Sequence, residues 1–402
     1  MTVGVGGQSI ESALASLTNM TADCVPIKRS EFAERIAKIQ ALMKESGAKA
    51  IYLHASTNLY YFTGLKWSPS ERMVAAIIPA EGQLVYIAPN FELDTLRDYW
   101  VFDAPIFGWH EHENPYETFG QALASLGIDS GKVLVDEATP YFTVSGIQEH
   151  NPRIELQLAQ PLTQSLRSIK SANEIALIER ANEMTLQVHK AAASILREGI
   201  TTDEVVKFID DAHRIAGAPA GSYFCIVLFG VATSFPHGVK DPQVLKKDDW
   251  VLIDTGAVVH GYISDITRSF CFGQPNDEHR AAFEAEYRAQ IAAFEAAKLG
   301  QPCQAPDDAA RQSLIESGFG PDYQLPGLPH RTGHGCGLDI HEGPNLVRGE
   351  MTPLVTGMVF SSEPMLVIPD KFGVRLEDHF YMTDAGPKWF TQPSSSIDDP
   401  FG

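Results

Sequence analysis

The sequence predicts a two-domain α/β protein: a small N-terminal α/β domain, then a larger α+β domain with pseudo-twofold character. Its 402 residues exceed what one ordinary core accommodates. Short β-branched runs alternate with helical periodicities through the first part of the chain. In the second part, two helices lead into a strand and an acidic hairpin, and two further helices lead into a second acidic hairpin. No residue-level repeat accompanies this order, but matched halves around a central site would produce it.

Residues 1–26 are rich in Gly, Ser and Thr around a short apolar patch, Ile10 to Leu17, and read as an arm of uncertain order. Ser30 is placed to cap a helix with Phe32, Ile36, Ile39, Leu42 and Met43 at helical spacing, and Gly47 to end it. Ile51 to Leu53 reads as a buried strand, and Met73 to Ile78 pairs with Leu84 to Ala88 across a turn at Gly82. The N-terminal domain spans 27–157, and 158–170 reads as a linker. The second domain, 171–402, opens on two capping boxes, Ser171-x-x-Glu174 and Thr201-x-x-Glu204, the second helix stopping at Gly217. The strand Phe224 to Phe229 follows, and later the helices Asp277 to Leu299 and Pro306 to Ser317.

Composition narrows the function classes. Fifty-one acids against 31 bases give a formal charge of −20, which disfavours nucleic acid and anionic membranes as partners. No apolar run approaches the ~18 residues of a membrane span. The N-terminus lacks the basic start and apolar core of a signal peptide. Five scattered cysteines, without a Cys-x-x-Cys pair, fit reduced thiols in the cytoplasm.

The chemistry is concentrated in the two hairpins. Trp250 to Val259 and Tyr262 to Phe272 flank a break at His260-Gly261. With the turn centred between Val259 and His260, Asp254 sits directly opposite Asp265 on one face. Like charges so placed repel unless a cation lies between them. That pair alone fits a metal or a solvated sheet face about equally. The tie breaks downstream, where folding about Asp370 brings Glu363 opposite Glu377, with room for a one-residue bulge. Between the hairpins, the alternating glycines around His334 let backbone approach a site and present an imidazole to it. Four carboxylates and one imidazole suit a pair of divalent ions, and Mn, Co and Zn all accept such a set.

Asp-Thr-Gly-Ala, Gly-Tyr-Ile-Ser-Asp-Ile-Thr-Arg, Gly-His-Gly-Cys-Gly-Leu-Asp-Ile-His-Glu, Ser-Glu-Pro and Val-Arg-Leu-Glu-Asp, in this order, closely resemble the pita-bread metallopeptidases. Within them the nearest resemblance is to bacterial prolidases, the Xaa-Pro dipeptidases. It is strong over about the last 240 residues and weak over about the first 160. Asn58 to Gly64 resembles a segment of the N-terminal domain that prolidases and creatinases share.

The resemblance implies that Asp254 and Asp265 hold one metal and His334 and Glu363 the other, with Asp265 and Glu377 bridging. It implies cleavage of dipeptides by a metal-bridging hydroxide, with Glu363 as general base, in a homodimer. His237 and His341 match histidines that stabilise the oxyanion or pass a proton to the leaving nitrogen; taken alone, each is more commonly a hydrogen-bonded structural residue. His330 is placed to contact substrate or to be solvated in its loop. Arg375 lies on the strand face of Glu377 and balances carboxylate charge.

His54 and Trp67 are candidate substrate contacts from the N-terminal domain, an ordinary loop or core aromatic being the plainer reading of Trp67. Some prolidases carry an arginine after His-Glu-x-Pro, where this chain has Asn345. Arg348 is the candidate replacement for binding the substrate carboxylate, and an exposed surface arginine is again the plainer reading. Three rival activities share the layout: an Xaa-Pro aminopeptidase on longer peptides, a creatinase-like or ectoine-hydrolase-like C–N hydrolase, and a non-catalytic binding protein. The last two are expected to lose metal ligands, and here all five remain.

Overall fold

The computed structural model describes residues 2–401 and divides into two compact units, residues 27–167 and a second unit joining 2–26 to the chain from Ser168 onward. Residues 2–26 contain helix α1 (Ile10–Ala15) and are pinned to the second unit. The N–H groups of Gly6 and Gln8 donate to the carbonyls of Ala193 and Ser194, and that of Met20 to Ala216. The arm whose order the sequence left uncertain is, over residues 2–26, a fixed part of the larger unit.

In the unit 27–167, helix α2 (Arg29–Ser46) ends on Gly47 at φ +72, a conformation glycine adopts without a Cβ clash. Its N-cap position is Lys28, so Ser30 lies inside the first turn and does not cap it. The unit continues through β1 (Ala50–His54), α3 (Thr57–Thr63), β2 (Ala75–Pro79), β3 (Val85–Pro89), α4 (Leu93–Tyr99), β4 (Ile106–Trp109), α5 (Pro115–Ser125), β5 (Gly131–Val135), α6 (Tyr141–His150) and β6 (Ile154–Leu158). The strands form one mixed sheet in the order β4-β3-β2-β1-β5-β6. Tyr52, Trp109, Phe119 and Ile147 fill the core on one of its faces.

The segment 158–170, expected to be a linker, is instead the end of β6 and then helix α7 (Gln160–Arg167). Pro161 is compatible with a first helical turn, whose N–H groups lack partners in any case. Thr163 bonds Glu137 at 2.9 Å and Arg167 bonds Asn58 at 3.0 Å, so this helix belongs to the N-terminal unit.

The second unit continues with α8 (Ala172–Ser194) and α9 (Thr202–Ala216), both opened by the expected capping boxes. Then come β7 (Ser222–Phe229), β8 (Trp250–Val259), β9 (Tyr262–Ile263), β10 (Ile266–Cys271), α10 (Asp277–Ala296) and α11 (Gln304–Glu316). The strands β11 (Gly333–Gly335), β12 (Glu342–Leu346), β13 (Val359–Ser362), β14 (Met365–Ile368), β15 (Phe372–Arg375), β16 (Asp378–Thr383) and β17 (Gly386–Trp389) complete it. One sheet runs β10-β8-β7 with β9 on β8, another β12-β11-β13-β16-β17, and β14 pairs β15.

Helix α8 lays a polar stripe against the first acidic hairpin. Thr185 Oγ1 lies 2.8 Å from Ser264 Oγ, and His189 Nε2 donates to the Ile266 carbonyl at 2.9 Å. The His213 ring sits between Thr185 and Ser222 at 3.2 and 2.9 Å. Burial pushes His213 down to about 4, against the opposing charge of Asp210.

An unfolded chain protonates this imidazole near its ordinary ~6.5, before the native state does. The stability owed to neutral His213 is thus complete above about pH 6.5 and lost as pH falls toward its folded value. Urea unfolding of His213→Asn against wild type should show their stability difference changing by about 1.4 kcal/mol per pH unit in that window. Parallel pH profiles would contradict it.

Candidate metal centre

The first hairpin turns on His260 and Gly261, at φ +48 and +96, a two-residue turn that matches strand twist. This sets Val259 opposite Tyr262, so Asp254 faces Thr267 rather than the expected Asp265. The shift is two residues, which preserves the side-chain face. Asp265 itself falls in the break between β9 and β10. There the chain passes so close to Gly256 that a Cβ would meet the Ser264 carbonyl at 1.8 Å. Only glycine admits that approach.

In the second hairpin, Met365 pairs with Arg375 and Ser362 with Asp378, two ladders of one common register. Glu363 and Glu377 lie at the break between them, opposite each other by that register. The two hairpins meet at Thr267 and Glu377, whose backbones exchange hydrogen bonds of 3.3 and 3.1 Å. His334 arrives on β11, where its N–H donates to Ser361 Oγ at 3.0 Å and the Glu363 N–H donates to the Thr332 carbonyl at 2.8 Å.

Ligand atoms of Asp265, His334 and Glu377, all three buried, lie within 4.8 Å of one another. His334 Nε2 is 3.1 Å from Glu363 Oε1 and 3.8 Å from Asp265 Oδ2. Its Nδ1 lies 3.0 Å from the Gly335 carbonyl. A carbonyl only accepts, so the proton of a neutral ring sits on Nδ1 and the Nε2 lone pair faces the acids, the form in which imidazole binds a metal.

Thr267 Oγ1 donates to Glu377 Oε2 at 2.7 Å and accepts from Arg375 Nε at 3.1 Å. The guanidinium of Arg375 also pairs with Asp254 Oδ2 and donates to the Pro236 carbonyl at 3.1 Å. One oxygen each of Asp254, Asp265 and Glu377 is buried without a hydrogen-bond partner. Such orphaned acceptors are costly unless a cation fills the space they face.

The electrostatics point the same way. Burial raises the pKa of Asp254, Asp265 and Glu377, reinforced by the like charges of their neighbours, whereas Arg375 opposes the rise. Burial also works against Glu363, but a protonated His334 donating to it, with His330 and Arg375, outweighs burial and holds its carboxyl below the usual range; a metal on Nε2 would supply that positive charge in the proton's place. The residues present therefore fit divalent metal: oxygen donors short of positive charge, and one imidazole offering a lone pair.

Around this cluster, the rings of His341 and His334 meet in a T-shaped contact at 4.3 Å between centroids. Partial burial, then the charge of a protonated His334 and that of Arg331, hold His341 below the ordinary imidazole range. His330 donates from Nδ1 to the Arg331 carbonyl at 2.7 Å, and burial lowers its pKa. His237 is exposed and directly follows Pro236, whose carbonyl accepts from Arg375 at 3.1 Å.

Arg348 is engaged elsewhere. Its half-exposed guanidinium is paired with Asp322 at 2.6 Å. His54 and Trp67 belong to the N-terminal unit, the former buried beside the Tyr52 hydroxyl at 3.2 Å, the latter edge-on to Tyr99. Sequence reading missed Thr267. It stands two residues after Asp265 on the same face, a period-two signal that was available.

The model of the Creatinase/Prolidase N-terminal domain matches residues 35–169, and that of metallopeptidase family M24 matches 176–384. The putative dipeptidase YkvY of Bacillus subtilis is 33% identical over 360 residues, 89% of this chain and 97% of that protein. Among solved structures, the Thermococcus sibiricus prolidase superposes with TM-score 0.82 at 30% identity, covering 90% of this chain and 97% of that one. Dipeptidase PepE from Mycobacterium ulcerans gives 0.85 at 28% identity, covering 92% and 97%. With the M24 model matching more than half of the chain and the Creatinase/Prolidase N-terminal model matching most of what precedes it, the chain belongs to metallopeptidase family M24.

Proposed function

We propose that the protein is an Xaa-Pro dipeptidase that holds two divalent ions, Mn, Co or Zn, on Asp254, Asp265, His334, Glu363 and Glu377. The observation that carries this reading is the set of three buried carboxylate oxygens without hydrogen-bond partners, on Asp254, Asp265 and Glu377, the latter two residues clustered with His334. Charge supports two ions over one. Ionised as ligands, the four carboxylates would exceed the guanidinium of Arg375 by three negative charges in a buried site, more than one divalent ion offsets. When bound, such ions lower the pKa of a water and polarise the scissile carbonyl.

The chain supplies the rest. Glu363, the acid kept ionised, takes the proton of the attacking water. His341 and His237, beside the cluster, hydrogen-bond the developing oxyanion and return a proton to the leaving proline nitrogen. Arg375 and Thr267 hold Asp254 and Glu377 so that their second oxygens stay turned to the ions. His330 contacts the substrate, and Arg348, tied to Asp322, is a poor candidate for its carboxylate.

The protein works as a homodimer in the cytoplasm, in keeping with its five free cysteines and measurable as a molar mass by light scattering. The test of substrate class is hydrolysis of Gly-Pro and Ala-Pro against Gly-Pro-Ala. Faster cleavage of the dipeptides is expected; preference for the tripeptide would make the protein an aminopeptidase, and inertness toward all three would overturn the reading.

A further inference from the structure

We propose that Glu342 is a positioning residue for His341, with Lys170 as its counter-ion; this rests on the catalytic role given to His341 above. Glu342 and Lys170 form a salt bridge of 3.2 Å with side chains 5% and 2% exposed. Taking both charges out of water is costly, so a buried pair of this kind needs a compensating set of hydrogen bonds.

Glu342 has them. Its Oε1 accepts the backbone N–H groups of Leu338 at 2.9 Å and Asp339 at 3.1 Å, while Oε2 takes the Lys170 ammonium. The residue directly after His341 thus reaches back over residues 337–341 and closes them into a loop around its own carboxylate.

The backbone is fitted to that carboxylate. A Cβ at Gly337 would meet both oxygens at 2.9 Å, so the chain passes where a side chain has no room. The Gly337 N–H donates to the Asp339 carbonyl at 3.1 Å, and its own carbonyl accepts from Ile263 N–H at 2.9 Å, two residues before Asp265. Lys170 is fixed in turn, its N–H donating to the Gly357 carbonyl at 2.9 Å directly before the N-cap of α8.

His341 is exposed on one side and meets the His334 ring in a T-shaped contact on the other. Its placement rests on that contact and on the backbone that carries it. Glu342 sets that backbone.

The experiment is a double-mutant cycle on the metal-loaded full-length enzyme with Ala-Pro as substrate, reading kcat, KM, bound metal and melting temperature for Glu342→Gln, His341→Ala and the double variant. Glu342→Gln should lower kcat about ten- to a hundredfold, with KM changed less than about twofold and metal content intact. In the His341→Ala background the same substitution should cost nothing further, because it acts through that ring.

Additive losses would overturn the link between Glu342 and His341 and leave the catalytic role of His341 standing. Wild-type kcat in His341→Ala would overturn both. Loss of metal from Glu342→Gln would also overturn the proposal, placing Glu342 in support of the ligands instead.

Lys170→Gln/Glu342→Gln keeps the acceptor oxygen and removes both charges. It should fold and recover kcat to within about threefold of wild type. A well-folded double variant as slow as Glu342→Gln would remove Lys170 from the scheme.

Discussion

Asp265→Asn should cost at least about a thousandfold in turnover, the equivalent of about 4 kcal/mol of transition-state stabilisation, while leaving the metal-free chain as stable as wild type or more so. Asp265 is buried among Glu377, Asp254 and Glu363, whose charges add to burial in raising its pKa well above the carboxylate range. A carboxyl so raised favours its protonated form in the native state, and it opposes folding increasingly as pH rises through its unfolded value near 3.9. Asparagine resembles the protonated acid in shape and removes that opposition. Melting in chelator at pH 7.5 should therefore show no loss, while kcat/KM for Ala-Pro and the bound metal both collapse. A variant with near-normal rates would sink the dinuclear account.

Arg375→Met should behave in the opposite way. Its guanidinium bonds Asp254, Thr267 and the Pro236 carbonyl, and its removal strands the Asp254 carboxylate in the interior. Breaking a buried pair from one side costs about 3–5 kcal/mol. The loss should be largest in chelator and partly reversed by excess Mn²⁺, since the cation then provides the missing counter-charge.

Arg268→Met is the control. Arg268 pairs with Asp378 at 2.7 Å and donates to the carbonyls of Thr267 and Glu377 at 3.1 and 3.0 Å, with side chains of the pair at most 1% exposed. Its loss should be as severe but insensitive to metal. Equal metal dependence in the two variants, followed by thermal unfolding, would contradict the division of roles.

The acids were legible because strands alternate with period two. An error of two residues in the first hairpin left Asp254 and Asp265 on one face, although the turn at His260-Gly261 set the true partner as Thr267. The second hairpin kept its expected register on both sides of the Glu363 and Glu377 break. What sequence did not carry was contact across long separations. The free lone pair of His334 depends on where the Gly335 carbonyl turns, and the counter-ion of Glu342 is Lys170, 172 residues earlier.

Two further segments have the same cause. The order of Gly-rich residues 2–26 stays uncertain until their backbone finds Ala193, Ser194 and Ala216. Helix α7 reads as a linker until its partners are known, Glu137 for Thr163 and Asn58 for Arg167, both well back in the N-terminal unit.

The central claim is that the four acids and His334 form one dinuclear metal centre that hydrolyses Xaa-Pro dipeptides. Elemental analysis of the purified protein, paired with Gly-Pro hydrolysis before chelation, after chelation and after metal return, tests it most directly. About two metal ions per chain, with activity lost on chelation and restored with the metal, is the predicted result. A protein that binds no divalent metal, or that cleaves Gly-Pro equally well after complete chelation, would contradict it.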